Sequence, residues 1–196
     1  MLVKDPIIFF IFWEFLMIKF IGNCSRIIDW DSVIRDLEHC HADYGPTHKE
    51  GDPIPLLNEV TTIWRDEGYK TVELGGTVQW DMLFPGVHYD RSVEEKFCDF
   101  FEITPNSGSW ISRIWPGRQA PMHWDVHDDE AILLTQPDMM RWHCHIGKPT
   151  FGHVFVCENE MFYNKQQGDA FQWGSRRYWH AGTNCGLTPK YLFNLY

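Results

Sequence analysis

From about residue 104 onward, apolar and polar residues alternate with a period of two in short runs. The runs cover residues 110–115, 140–146, 153–158, 161–163, 170–173, 178–181 and 191–196. Turn residues separate them, as in Pro116-Gly117 and Gly168-Asp169. Many short strands joined by regular turns are typical of a sandwich or barrel. This half of the chain is therefore predicted to form an all-β core.

The preceding part of the chain has a mainly helical period. One helix is predicted behind an Asp29 cap, with Trp30, Val33, Ile34 and Leu37 on its buried face. A second is predicted from about residue 56 to Gly68, and a strand pair over residues 69–80. A third begins at Ser92, where Ser92 and Glu95 form a capping box. Helices first and strands after predict an α+β fold, with helices buttressing one sheet of a β-sandwich.

The chain has 196 residues, which is enough for one domain with its own core. Its 17 basic and 27 acidic side chains give a formal charge of −10, which disfavours binding through neutralised phosphates. We therefore expect no nucleic-acid partner. The domain is predicted to cover residues 23–196, with helical support in 23–103 and the β core in 104–196.

Residues 1–22 form an apolar N-terminal segment, but its continuous apolar run, residues 6–22, is interrupted by Glu14 and Lys19 and is shorter than the about 20 apolar residues that span a bilayer. A membrane anchor is the less favoured interpretation. We expect instead that the native chain begins at Met17 and opens with a strand. The six cysteines contain no C-x-x-C pair, so free thiols and a cytoplasmic location are expected.

Two H-x-D pairs lie close together in the chain. His123 and Asp125 form the first, and His127 and Asp129 form the second. In an extended segment residues i and i+2 point to the same face, so either pair can present an imidazole and a carboxylate to one ion. Such a pair is more often just two polar surface residues, and spacing alone does not choose between the two.

A further imidazole strengthens the metal hypothesis. His180 lies on a late predicted strand, and Lys190 follows it by ten residues, near the start of the last strand. Two histidines and one carboxylate form the facial triad that binds Fe(II) and leaves positions open for a bidentate 2-oxo acid and O2. A nearby cation such as Lys190 would then hold the far carboxylate of that acid, although an ordinary surface lysine is the alternative.

Other chemistries fit the sequence less well. His143-x-His145 lacks the carboxylate that a cupin metal motif has a few residues later, and no four-ligand zinc set includes Cys144 or Cys185. The chain has no nucleophile elbow, P-loop or Rossmann glycine motif.

Taken together, these residues resemble the double-stranded β-helix family of Fe(II)/2-oxoglutarate dioxygenases, over about residues 109–196. An R-x-H strand, here Arg141-Trp142-His143, is similar to the aspartyl/asparaginyl β-hydroxylase branch and the related prolyl hydroxylases. The resemblance implies a jelly-roll, cupin-like core. It also implies Fe(II) ligands, 2-oxoglutarate contacts and a cofactor set of Fe(II) and 2-oxoglutarate, with ascorbate as an additional candidate.

Carried over by position, the implied Fe(II) ligands are His123, Asp125 and His180. The implied 2-oxoglutarate contacts are Lys190 and Arg141, with His143 beside them. The chain departs from the family in two respects: Lys190 stands where arginine is usual, and Arg141 follows His123 by 18 residues, a longer connection than that branch has.

The implied activity is hydroxylation of an amino acid side chain, in peptidyl Asp, Asn or Pro or in a free amino acid, with a small-molecule or peptide substrate and O2 as partners. The alternative is a β-sandwich that binds a ligand without catalysis or holds another metal. For Arg141, His143 and His145, which share one strand face, a solvated polar face is the structural alternative, with Trp142, Cys144 and Ile146 buried instead. His145 is a weaker candidate for substrate contact.

Overall fold

The computed structural model describes residues 18–40, 80–105, 108–123, 140–148, 150–163, 165–174 and 178–196, with the backbone alone at Pro121 and His123. The predicted helix at residues 56–68 lies outside these ranges. The predicted strand pair at 69–80 also lies outside them, except for its last residue.

Two antiparallel sheets form the body of the described fold. The larger sheet has six strands in the order β1-β8-β5-β10-β3-β2, and the smaller has four in the order β4-β9-β6-β7. All eight strand pairings are antiparallel. The strands are β1 (Ile18–Asn23), β2 (Asp81–Leu83), β3 (Ser109–Ile114), β4 (Arg118–His123), β5 (Arg141–His145), β6 (His153–Cys157), β7 (Glu160–Phe162), β8 (Asp169–Trp173), β9 (His180–Asn184) and β10 (Lys190–Leu195). The prediction of an antiparallel β-sandwich is confirmed.

The strand bounds differ from the sequence pattern at two places that matter for the site. Strand β4 was not among the predicted runs, because it begins with the polar residues Arg118 and Gln119 and therefore lacks an apolar alternation. Strand β9 begins at His180 and continues to Asn184, whereas the pattern predicted residues 178–181. The opening strand predicted near Met17 is present as β1, which pairs with β8.

Two helices are present in the described residues, α1 (Trp30–Glu38) and α2 (Ser92–Phe101). The Asp29 cap is confirmed, because the Ser32 backbone N–H donates to Asp29 Oδ1 at 3.0 Å. The predicted capping box of Ser92 and Glu95 is wrong. The helix has no side-chain cap of its own, and the Ser92 N–H instead donates to Asp90 Oδ1 at 2.7 Å.

The helices pack against the outer face of the larger sheet. The ring centres of Trp30 in α1 and Phe97 in α2 lie 5.9 and 4.9 Å from that of Phe193 in β10, and all three residues are fully buried. Burying side chains of this size stabilises the fold by about 1.5 to 3 kcal/mol each. A buried ion pair between Arg113 and Asp81, 2.6 Å apart, joins β3 to β2.

The inner face of the larger sheet is covered by the smaller sheet. The ring of His143 in β5 stacks on that of Phe155 in β6, with centres 4.5 Å apart. The inward side chains of β5, Arg141, His143 and His145, are consequently buried, while Trp142 and Cys144 are buried on the opposite face against the helices. The solvated-face alternative for β5 is therefore wrong, because a second sheet lies where water was the other option.

Some expectations from composition can also be compared with the fold. All six cysteines are free thiols, as predicted; the Sγ atoms of Cys24 and Cys144 lie 3.7 Å apart without a disulfide. In the described part of the chain, no helix is both long enough and apolar enough to cross a membrane.

The Asp29 cap provides a test of the helix assignment. Replacing Asp29 with Ala should lower the free energy of unfolding by about 1 kcal/mol, because the first turn of α1 loses the acceptor for the Ser32 N–H. Urea denaturation measures the change. Asp36→Ala, at an exposed position of the same helix, should change it by less than about 0.5 kcal/mol. Equal losses in the two variants would contradict the capping role.

Candidate functional site

The candidate site lies between the two sheets, where polar side chains point inward from three neighbouring strands of the larger sheet. Strand β5 lies between β8 and β10, with His143 paired to Phe171 on one side and to Asn194 on the other. Residues directly opposite one another in such ladders share a face. The inward row contains Arg141, His143, His145, Asp169, Phe171, Trp173, Lys190, Leu192 and Asn194.

Lys190 lies at the start of β10 and is 1% exposed. Its Nζ donates a hydrogen bond to the carbonyl of Val154 in β6, at 2.5 Å. None of the described carboxylates forms an ion pair with it. Burial lowers the pKa of Lys190 to about 7, since the ammonium has lost its water without gaining an anion. The interpretation of Lys190 as a surface lysine is wrong.

Gly182 in β9 lies close to Ile114 and Lys190. A Cβ atom at this position would lie 3.0 Å from Ile114 Cδ1 and 3.5 Å from Lys190 Nζ. Glycine inside a strand weakens it and often marks a close approach by another group. Here the tight contact would be with Ile114, whereas Lys190 Nζ would lie at an ordinary van der Waals distance.

His143 lies near the middle of the inward row and is 2% exposed. Its Nδ1 lies 3.0 Å from Asn194 Oδ1. The amide nitrogen of Asn194 donates to Ser112 Oγ at 3.0 Å and to the Leu192 carbonyl at 3.2 Å, which fixes Oδ1 toward the histidine. His143 Nδ1 is therefore the protonated nitrogen in the neutral ring.

The other nitrogen of His143 is an unused buried acceptor. Burial, followed by the nearby charge of Lys190, lowers the pKa of His143 to about 3, so the ring is neutral near pH 7. With Nδ1 protonated, Nε2 carries the lone pair, and it has no hydrogen-bond partner among the described residues. Unpartnered buried polar atoms are rare in proteins and often mark a site for a ligand or water.

Arg141 lies at the opposite end of the row from Lys190. Its guanidinium carbon is 4.5 Å from the centre of the Tyr196 ring, which follows the last residue of β10. Arg141 lies one residue beyond the Trp142–Leu195 pair, so its backbone is about 20 Å along the strand from that of Lys190. Arg141 also faces the smaller sheet, because its charge acts on Cys157 in β6. Burial of the thiol and the charges of Glu158 and Glu160 raise the pKa of Cys157 to about 12, whereas the charge of Arg141 lowers it.

His180 begins β9 on the smaller sheet. Its Nδ1 lies 3.0 Å from the carbonyl of Tyr178, which is only an acceptor, so Nδ1 carries the proton and Nε2 the lone pair in the neutral ring. The ring lies 6.1 Å from that of Trp173 and 6.3 Å from that of Phe155, measured between centres. A histidine oriented through Nδ1–H in this way is the usual form of a metal ligand.

The backbone places residue 123 directly opposite residue 180. His123 and His180 are partners in the antiparallel ladder of β4 and β9, after an irregularity that follows Ala120. Bulges of this kind are common next to active sites, where they re-aim a side chain. Asp125, His127 and Asp129 lie outside the described residues. Within the described part, no three His, Cys, Asp or Glu side chains form a group that could hold a metal.

Sequence reasoning missed three features of the site. Asn194, which orients His143, reads only as a polar residue on the last strand. Gly182 carried a signal, since a glycine inside a strand suggests a close approach. His145 was recognised as sharing a face with Arg141 and His143, but its position near Lys190 follows from the pairing of β5 with β10.

No protein-family model matches the chain, and no curated protein matches it significantly. Three solved structures are similar to the chain at low identity. A viral collagen prolyl hydroxylase of Paramecium bursaria Chlorella virus-1, in complex with 2-oxoglutarate, has 14% identity and a TM-score of 0.44, over 70% of this chain and 86% of its own. A prolyl-4-hydroxylase of Pseudomonas putida has 15% identity and a TM-score of 0.43, over 86% and 99%.

A 2-oxoglutarate-Fe(II) oxygenase family oxidoreductase of Burkholderia pseudomallei has 12% identity and a TM-score of 0.40, over 60% of this chain and 64% of its own. At such low identity and structural overlap, these likenesses assign no role to any residue of this chain.

Proposed function

We propose that the protein is an Fe(II)- and 2-oxoglutarate-dependent oxygenase that hydroxylates an amino acid side chain. The observation that carries the proposal is the buried ammonium of Lys190, which faces a carbonyl and, among the described residues, no carboxylate. An isolated buried cation costs several kcal/mol, so such a group is retained where it binds an anion. It lies inside the same sandwich as His180, the histidine ten residues before it.

The strand order supports a jelly-roll core. Strands β3 to β10 alternate between the sheets, except that β6 and β7 are both in the smaller one. The larger sheet thus contains β8-β5-β10-β3 and the smaller one β4-β9-β6-β7, which is the arrangement of two interleaved four-stranded sheets. We propose this double-stranded β-helix as the core of one domain over residues 23–196, with the helices as its outer support.

The donor set fits Fe(II). His180 has its proton on Nδ1, position 123 lies directly opposite it, and Asp125 follows two residues later. We propose His123, Asp125 and His180 as the three ligands. Two imidazoles and one carboxylate suit a non-haem Fe(II) centre with open positions, and no thiolate is needed.

The inward row of the larger sheet fits 2-oxoglutarate. The acid carries two carboxylates, and Lys190 places a buried ammonium at one end of the row, with His145 and then His143 next along it. We propose that Lys190 binds the distal carboxylate, that Arg141 contributes near the His180 end, and that His143 lies beside the bound acid. The ammonium of a lysine is a compact charge and lacks the paired N–H donors of an arginine guanidinium, so a second donor is required for the other carboxylate oxygen.

The iron, when bound, supplies the oxidative chemistry that converts 2-oxoglutarate and O2 to succinate and CO2 and inserts one oxygen atom into the substrate. The chain's own residues bind and orient the reactants and exclude water from the site. The rings of Phe155, Phe171 and Trp173 exclude water from the interior, and Asn194 holds the His143 ring in one orientation.

The proposed partners are O2 and a peptide or small-molecule substrate with an Asp, Asn or Pro side chain or a free amino acid. A cytoplasmic location, dependence on ascorbate and the absence of nucleic-acid partners belong to the same proposal. The net charge of −10 supports the last of these.

An anaerobic titration tests the proposal. Adding Fe(II) and then 2-oxoglutarate to the purified protein should produce a weak visible charge-transfer band that saturates with one equivalent of each. Admitting O2 should then release succinate. A protein that shows neither the band nor succinate is not an oxygenase, and a non-catalytic ligand-binding sandwich becomes the better description. A band without succinate release would point to binding without turnover.

A further inference from the structure

A small polar cavity lies at the Lys190 end of the inward row. Its volume is about 20 Å³, which is room for one water or one small polar group. Among the described residues, its lining includes three lysines and two histidines and no Asp or Glu, namely Lys148, Lys165, Lys190, His145 and His153, although Lys148 is exposed and already pairs with Asp31 at 3.1 Å. The chemistry of the lining favours an anion.

His145 contributes an unpartnered nitrogen to this cavity. The side chain is 8% exposed, and its Nε2 has no hydrogen-bond partner among the described residues. The rings of His143 and Phe171 hold it in place through edge contacts, with centres 5.3 and 6.1 Å from its own. The orientation of the imidazole is therefore set by packing and leaves one nitrogen available for a ligand.

The groups around His145 are mainly basic. Burial lowers its pKa well below the ordinary value, and the neighbouring groups His143, Lys190, Lys165 and His153 lower it further. The carboxylate of Asp169, which is paired with His145 across β5 and β8, already accepts from the Asn23 side-chain amide and the Gln166 N–H. An anion placed beside His145 would stabilise the charged form of Lys190.

Spacing along the strands brings His145 and Lys190 to one ligand group. His145 is paired with Leu192, two residues from Lys190 on the same face of the sheet, or about 7 Å along the strand. A carboxylate has two oxygens, whereas the ammonium of Lys190 is a single compact charge. Without a second donor, one oxygen of a bound carboxylate would be buried without a hydrogen bond, at a cost comparable to a lost hydrogen bond.

We propose that His145 is a second anchor for the distal carboxylate of 2-oxoglutarate, with Nε2–H donating to one carboxylate oxygen while Lys190 holds the other. This inference rests on the proposed function and adds a residue that determines which 2-oxo acid is bound. The pair selects an acid with a second carboxylate at the far end over a monoacid of the same length.

The test compares 2-oxoglutarate with 2-oxopentanoate, which has a methyl group in place of the distal carboxylate. Calorimetry on the Mn(II)-loaded protein measures both affinities. His145→Leu should raise the Kd of 2-oxoglutarate by about tenfold to a hundredfold, the effect of losing a hydrogen bond to a charged group, and leave that of 2-oxopentanoate within twofold. His145→Gln, which keeps an N–H donor, should restore most of the affinity.

His39→Leu is the matched control. His39 is an exposed histidine at the end of α1 and is not part of the cavity lining, so its loss should not change the preference for the diacid. A second measurement needs no variant: the nitrogen NMR signal of His145 Nε2 in the wild-type protein should shift when 2-oxoglutarate binds and stay unchanged with 2-oxopentanoate.

The outcomes separate the two proposals. If the wild-type protein binds 2-oxoglutarate and His145→Leu binds it equally well, or if the variant loses both acids equally, the role of His145 is refuted while the proposed function stands. An unshifted His145 signal in the complex refutes it too. A wild-type protein that binds neither Mn(II) nor 2-oxoglutarate refutes both.

Discussion

Replacing Lys190 with Met should weaken 2-oxoglutarate binding by about a hundredfold or more while increasing the free energy of unfolding. The loss of affinity follows because truncating one partner of a buried, hydrogen-bonded charge pair costs about 2 to 5 kcal/mol. The gain in stability follows because Met fills a similar volume without an uncompensated buried charge, and such replacements stabilise by roughly 1 to 4 kcal/mol. Calorimetry and urea denaturation measure the two effects.

The pH dependence of the stability has a definite sign. The folded pKa of Lys190 is about 7, below the ordinary 10.5, so between these values the unfolded chain binds more protons than the folded one. In the wild-type protein the contribution of Lys190 to stability therefore rises with pH through this window and is lost below about pH 7. The stabilisation of Lys190→Met should be largest near pH 6 to 7 and shrink toward pH 10.

Lys190→Arg is the matched control for charge. Its guanidinium stays protonated across this range and offers a fork for a carboxylate, so 2-oxoglutarate binding should persist. If Lys190→Met binds 2-oxoglutarate as well as the wild-type protein, Lys190 is not the carboxylate anchor. If Lys190→Met instead unfolds more readily, the ammonium serves the fold through its bond to the Val154 carbonyl.

Replacing His180 with Ala should lower the affinity for Fe(II) by more than about a hundredfold, since even groups that only orient a ligand typically contribute ten- to a hundredfold. The affinity is measured by anaerobic competition with a chelating dye. His153→Ala is a control in the same sheet, because the Nε2 of His153 already pairs with the Thr188 carbonyl. It should bind Fe(II) normally.

The same assay decides between the two H-x-D pairs. His123→Ala and Asp125→Ala should match His180→Ala, whereas His127→Ala should bind Fe(II) normally. The opposite pattern would move the metal site to His127 and Asp129. Normal binding by His180→Ala would remove β9 from the metal site.

The elements that depend on local pattern were predictable from the sequence. Helix α1 forms where Trp30, Val33 and Leu37 recur at helical spacing, and the strands follow runs with a period of two. Errors arose where two local interactions compete. At the start of α2, the Asp90 side chain takes the Ser92 N–H, so the capping box of Ser92 and Glu95 does not form.

Burial of the site could not be predicted in the same way. The alternation of Arg141, His143 and His145 shows that they share a face, but only the position of the smaller sheet determines whether that face is exposed to solvent. Lys190 is a similar case, since its spacing from His180 suggested a role and its burial follows from the long-range pairing of β10 with β3 and β5. The burial of these residues therefore depends on contacts between segments that are distant in the sequence.

The side-chain amide of Asn194 connects the site to residues that do not contact a ligand. Its nitrogen bonds to Ser112 in β3 and its oxygen to His143 in β5, so three adjacent strands share one chain of hydrogen bonds. A change at Ser112, one strand further out than β10, removes one of the hydrogen bonds that orient the amide and so weakens its hold on the His143 ring, leaving the Leu192 carbonyl as an acceptor for the same nitrogen. Variants selected for a new ligand preference could therefore arise in β3, away from any contact with the ligand.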